Sequence, residues 1–204
     1  MIRFASTRYA APAHRTRPTC AALGTAALLL TVTASAQAAT SWHSDPAHSR
    51  LTFGATQAGA RFEGRFRTFD PQITFDPADL AHSRFTVTVD TGTADTQDRE
   101  RDDTLRSKDF FDVAHWPKAT FETTAFNSLG GGRYETTGKL TIRDATKPVK
   151  LVFTFTPGAG GASATLAGGT TIKRLDFGVG QGEWTDTTWV GNDVDIRFEL
   201  TLNR

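Results

Sequence analysis

The sequence predicts an all-β domain of eight or more antiparallel strands, interrupted by one short helix near residues 98–108. Three observations predict it. Apolar and polar residues alternate with a period of two along most of the chain after residue 40. Clusters of Gly, Pro and Asp separate the alternating runs at short intervals. One stretch, Asp98 to Lys108, loses the alternation and holds a single large apolar residue, Leu105. Alternation marks a strand with one buried and one wet face. Short connections make sequential neighbours pair antiparallel. These features alone fit a sandwich or a closed barrel equally well.

The first residues stand apart. Arg3, Arg8, Arg15 and Arg17 make a basic start without an acid, the apolar run "CAALGTAALLLTVTA" follows, and Ala36-Gln37-Ala38 offers a small-x-small cleavage site. That is the layout of a secretory signal peptide spanning residues 1–38. The apolar run is shorter than the ~20 residues of a membrane span. The mature domain is then 39–204, expected in the periplasm. Cleavage removes four of the 23 Lys and Arg and none of the 22 Asp and Glu, which leaves a net charge of −3. A weakly acidic chain without a basic run argues against nucleic acid as a partner, because that binding rests on neutralising phosphates. The only cysteine, Cys20, lies in the leader. Export permits disulfides, yet the mature chain must hold its fold by its core. Its length suits one domain.

The strands follow in order. "RLTFGA" (50–55), "RFEGRF" (61–66) and "QITFD" (72–76) come first, with turn signals at Asp70-Pro71 and Asp76-Pro77. "RFTVTVDT" sets Phe85, Val87 and Val89 on one face and Thr86 and Thr88 on the other. The helix comes next. Thr96 or Asp98 can cap its start. Arg99/Asp103 and Asp102/Arg106 are spaced i,i+4 and should pair along its surface for ~0.2–0.5 kcal/mol each. Leu105, Phe110 and Phe111 should pin it to the sheet. "KATFETT" (118–124) resumes the alternation, and Gly130 to Gly132 reads as a hairpin turn. "KLTIRD" (139–144) precedes a turn expected from Asp144 to Pro148, then "VKLVFTFT" (149–156) and the turn "PGAGGAS". "VDIRFELTL" (194–202) closes the chain with the cleanest alternation of all.

Several of these stretches, in this sequence order, resemble the YceI-like family. The match opens with "DPAHSRLTF" (45–53), runs through "FEGRF", "ITFDP", "RERDDTLRSKDFFDVAHWPKATFETT" and "GKLTIRDATKPVKL", and ends with "RLDFGVG". The resemblance implies a single lipocalin-like antiparallel β-barrel of about eight strands that binds a polyisoprenoid or another lipid. Two departures stand out. Gln57 occupies a position where family members often carry a histidine, so no role of that histidine transfers. The segment 180–193, with Trp184 and Trp189, is longer than in the shortest members. Both departures resemble the subgroup found beside or fused to membrane di-haem cytochromes b, which makes such a cytochrome an implied partner. A homodimer is also left open.

The segment 99–112 carries Glu100, Asp102, Asp103, Asp109 and Asp112. An acid/base pair needs two carboxyls with divergent pKa values across a cleft, whereas Asp102 and Asp103 point ~100° apart on a helix. A solvated helix face is the expectation, and an enzyme using this segment is the alternative. No catalytic residue and no catalytic cofactor are assigned: no Gly-x-Ser-x-Gly elbow and no cysteine in the mature chain supports nucleophilic attack. No metal site is assigned, since His43, His48, His82 and His115 are scattered; His48 should bond within the turn before the first strand.

What remains is the apolar face, with 15 Phe against two Tyr. These rings fill a core or line a cavity; a ligand-free structural or partner-binding barrel is the bland alternative. An eight-stranded barrel can just enclose one small ligand, and the resemblance favours the cavity. Its expected lining is Phe53, Phe62, Phe66, Phe75, Phe85, Val87, Phe121, Ile142, Leu151, Phe153, Phe155 and Phe198. Phe110, Phe111, Trp184 and Trp189 are expected at its mouth. The bound molecule is expected to be a long-chain apolar lipid, such as an isoprenoid quinone, a polyprenyl phosphate or a fatty amide.

Overall fold

The computed structural model describes residues 40–204; the leader expected at residues 1–38 lies outside them. Eleven strands are present: β1 (Ser41–Ser44), β2 (Arg50–Gln57), β3 (Ala60–Phe66), β4 (Phe69–Thr74), β5 (Arg84–Asp90), β6 (Ala94–Asp95), β7 (Lys118–Gly130), β8 (Arg133–Ile142), β9 (Ala145–Pro157), β10 (Ser163–Lys173) and β11 (Asp193–Asn203). The single α-helix among the described residues, α1, is Arg99–Arg106. All pairings are antiparallel. β1 pairs with both β4 and β11, so the order β1-β4-β5-β7-β8-β9-β10-β11 closes into a ring of eight. β2, β3 and β6 continue β1, β4 and β5 across short breaks, so eight bent strands make one barrel.

The two ends of the barrel differ. At one end, β1 completes the ring and the connections 75–83, 131–132 and 158–162 join the strands. At the other, β5 leaves β7 after the Asp90–Lys118 pair, and β6 bonds only to β3, through Ala94 and Asp95. The chain from 96 to 117, with α1 at its centre, fills that opening.

Two expected turns are strand instead. Pro71 lies within β4 opposite Val87, and Pro148 lies within β9 opposite Lys139. Proline is tolerated in a sheet where no neighbour needs its missing N–H. β1 reaches β4 only at Gln72 to Thr74, and β10 reaches β9 only from Val152 onward. Both prolines therefore have a strand partner on one side only. The turn between β8 and β9 shrinks to Arg143 and Asp144, with Arg143 at φ 56°.

β10 carries no clean alternation because Gly168 and Gly169 interrupt it. Its inward face is nevertheless regular, with Ala164, Leu166, Thr170 and Ile172. β7 contains a bulge between Thr123 and Ala125. A bulge adds one residue to one strand and inverts the parity beyond it. Ala119 and Phe121 face inward before it, and Phe126 faces inward after it.

The interior splits into two apolar clusters. Near the closed end, Trp42, Phe75, Phe85, Tyr134, Phe153 and Phe155 pack with Phe126 into an aromatic plug. Their ring centroids stand 4.9–6.2 Å apart in tilted, edge-on and stacked pairs. Near the other end, Phe53, Leu105, Phe110, Ile142, Ile172, Phe177 and Val179 form the second cluster under α1.

Candidate ligand cavity

Between the plug and α1 the lumen is hollow. The cavity measures about 200 Å³, many times the ~10–15 Å³ that one water needs on this scale. The inward positions of every long strand line it: Leu51 and Phe53 of β2, Phe62 and Phe66 of β3, Ile73 of β4, Phe85, Val87 and Val89 of β5, Phe121 of β7, Ile142 of β8, Leu151 of β9, Leu166 of β10 and Phe198 of β11. Thr91, Thr170 and Arg174 are its only polar lining residues. An unpaired polar group on such a wall would cost ~1–3 kcal/mol. Thr91 Oγ1 avoids that by donating to the carbonyls of Trp116 and Pro117 at 3.2 and 3.0 Å.

Close backbone approaches make the hollow. Gly64 lies directly across from Phe53, and a Cβ there would run into that ring; a Cβ at Gly138 would run into Phe121. Both rings therefore lie down along the wall instead of reaching across the lumen.

Nine of the residues expected to line a cavity do so: Phe53, Phe62, Phe66, Phe85, Val87, Phe121, Ile142, Leu151 and Phe198. Phe75, Phe153 and Phe155 do not. They are 0%, 1% and 5% exposed and belong to the plug. Of the four expected mouth residues, Phe110 and Phe111 line the cavity under α1. Trp184 lies one layer further out, with its ring edge-on to Phe110 at 5.3 Å. Trp189 lies on the surface, 54% exposed, and contributes its backbone, which accepts from Ala58 N at 2.7 Å.

The opening is sealed by hydrogen bonds. Asp98 caps α1 by accepting from Arg101 N at 3.2 Å. Asp103 pairs with Arg99 at 3.8 Å and with Arg106 at 3.0 Å on the wet face. Asp102 departs from expectation. It is buried, and it accepts from Thr96 N at 2.8 Å and Thr96 Oγ1 at 2.7 Å instead of pairing with Arg106. Arg106 instead donates to Gly92 O and Ala94 O, tying α1 to the last turn of the β5–β6 strand. Asp95 draws Arg65 and Arg67 together at 3.0 Å each. The Gln97 amide first, and these two guanidinium groups after it, hold the Asp95 carboxyl below the ordinary carboxylate range. Gln57, at the position of the family's histidine, accepts from Arg101 Nε at 3.1 Å, so it anchors α1 to β2.

Two arginines that the sequence did not mark complete the seal. Arg174 is 4% exposed and donates to four carbonyls, those of Gly191, Val179, Trp184 and Val190, at 2.6–3.0 Å. Burial pulls its pKa below the usual arginine value. Arg143 Nη1 lies 2.7–3.1 Å from the carbonyls of Lys108, Phe110 and Gly178, while its buried Nε has no partner. Arginine presents five donors in a rigid fork and no acceptor, which suits binding a loop by its carbonyls. Nothing in the local pattern separates these two from other arginines, because their acceptors are backbone carbonyls, 33 to 35 residues away for Arg143 and in the loop 179–191 for Arg174.

Three histidines stay in turns, and His43 lies in β1. His48, His82 and His115 each place Nδ1 2.7–2.9 Å from the nearest carboxylate oxygen of Asp45, Asp79 and Asp112. Among the described residues no three His, Cys, Asp or Glu side chains converge on one point.

Residues 42–202 match the model of the YceI-like domain. A UPF0312 protein of Vibrio cholerae is 36% identical over 138 residues, covering 65% of this chain and 73% of its own. A UPF0312 protein of Pseudomonas savastanoi is 35% identical over 158 residues, covering 74% and 80%. Among solved structures, BcnA of Burkholderia cenocepacia superposes with a TM-score of 0.74 at 37% identity, over 78% of this chain and 99% of that one. A polyisoprenoid-binding domain from Saccharophagus degradans shares the fold, with a TM-score of 0.61 at 16% identity over 82% of this chain and 99% of its own.

Proposed function

The chain belongs to the YceI-like domain family, and from that membership we propose that it binds a long apolar chain non-covalently in the cavity and carries or sequesters it in the periplasm. The carrying observation is the cavity itself, whose exposed wall is apolar and whose one end is covered by the 96–117 segment. Burial of a chain in such a space stabilises by ~0.8 kcal/mol per methylene. Isoprenoid quinones, polyprenyl phosphates and fatty amides share that chain and differ in the head. The lining offers no free donor or acceptor for a head group, so the head lies toward the α1 end. The fold is shared with a domain named for polyisoprenoid binding. The basic, apolar and Ala-Gln-Ala sequence of the first 38 residues supports export. The family resemblance supports a membrane di-haem cytochrome b as the recipient.

A binding role also fits the acids. Asp98 and Asp102 are spent on capping α1 and holding Thr96, and Asp103 on two arginines. The test is native mass spectrometry of the protein isolated from its own periplasm. A bound lipid should accompany the parent and be lost from Val87→Asp, whose charge would sit in the cavity wall, while circular dichroism stays unchanged. A parent protein that carries no lipid, and takes none up from prenol or quinone micelles, would overturn the reading.

A further inference from the structure

We propose that the Phe85 ring is the stop that sets how long an apolar chain the cavity accepts; this rests on the binding role above. Seven rings make the plug, and Phe85 is the only one of them that also lines the cavity. It is backed by Phe126 at 4.9 Å, Phe153 at 5.3 Å and Phe75 at 5.8 Å. Ile73 stands directly across from it on β4 and lines the same floor. A chain entering under α1 passes Val89 and Val87, one inward position at a time, and meets Phe85 next. Behind it the interior is filled at side-chain contact distances, and a packed interior does not yield to an added methylene without strain.

The head and the stop thus fix the two ends of the ligand. A chain that is too short leaves void above Phe85, and one that is too long leaves apolar carbon outside the seal. Truncating Phe85 moves the floor back to Phe75 and Phe153 and frees space for roughly one five-carbon prenyl unit.

The experiment loads lipid-free full-length mature protein with all-trans prenols of increasing length and ranks them by competition in native mass spectrometry. The parent should show a length above which occupancy falls about tenfold or more. Phe85→Ala should raise that limit by one prenyl unit. Phe85→Leu, which keeps more of the packing, should move it in the same direction and serves if the alanine variant does not fold. Ile73→Phe should lower the limit, and Phe75→Ala, behind the stop, should leave it unchanged. The proposal is overturned if both Phe85 variants fold and keep the parent's limit, or if the parent takes all lengths equally, in which case the binding role survives. Failure of the parent to take up any prenol defeats both.

Discussion

The two halves of the barrel use the same alternation and end in opposite states, one solid and one hollow. β9 shows the difference within a single strand. Val149 and Leu151 face the cavity, and two residue pairs further on Phe153 and Phe155 fill the plug. In the solid half, rings reach across the lumen and meet rings from opposite strands. In the hollow half, Phe53 and Phe121 lie against Gly64 and Gly138, and the remaining inward residues are mostly short. Ring content therefore does not decide whether a barrel is filled. At Phe53 and Phe121 the glycine beneath does, because Gly64 and Gly138 let those two rings lie flat.

The sharpest way to break this comparison is to truncate one ring in each half. Phe75→Ala should cost about 3–5 kcal/mol, since the closed-in plug cannot collapse around the gap. Phe121→Ala should cost less than about 2 kcal/mol, because that ring already borders empty space. Urea unfolding of the lipid-free proteins measures both. Equal losses would mean that the hollow half is packed like the solid one.

The seal over the hollow half gives the next contrast. Asp102→Ala leaves the Thr96 N–H and hydroxyl buried without their acceptor and should cost about 1–3 kcal/mol. Asp103→Ala removes only exposed ion pairs and should cost no more than about 1 kcal/mol. The same unfolding measurement checks the order, and a reversed order would return Asp102 to the wet face.

Acid should loosen the hollow half before the solid one. Asp95, Asp186 and Asp195 all lie toward the α1 end. Hydrogen bonds from the Gln97 amide, the Thr188 hydroxyl and the Thr171 hydroxyl, respectively, are the main cause that holds each below its ordinary pKa. A carboxyl depressed in the folded state stabilises fully above its unfolded pKa, near 4. That contribution is lost as pH falls through the lower folded value. Toward the plug, Asp45 is depressed, chiefly by His48. Amide signals of the 96–117 and 174–192 segments should therefore broaden below about pH 4 before those of β8 and β9. Simultaneous loss would count against a separate seal.

The smallest effects belong to the two tryptophans. Trp184→Phe and Trp189→Phe should each change stability by roughly 0.5 kcal/mol or less. A bound quinone should quench the parent more than the Trp184 variant, because that ring touches Phe110 on the cavity wall. The Trp189 variant should quench like the parent. Equal quenching in all three would place the quinone away from the α1 end.

The sequence alone marks the all-β class, a helix near 98–108 with Thr96 or Asp98 as its cap, and the inward face of each clean strand. Period and capping are local, so residues a few positions apart carry them. It determined less where a local rule was overridden. The bulge in β7 inverted the face of Phe126, the glycines of β10 hid a strand, and Pro71 and Pro148 looked like turns because their one-sided pairing depends on how far distant strands extend. Which phenylalanines are wall and which are plug is settled by the closed barrel. That choice depends on what lies beneath and across from each ring, on strands tens of residues away. The same holds for Arg143 and Arg174, whose acceptors are carbonyls gathered from three separate segments, and for Asp102, buried because Thr96 folds back over it. Side-chain alternation records which way a residue points, but the space it points into is set by the closure of the whole barrel.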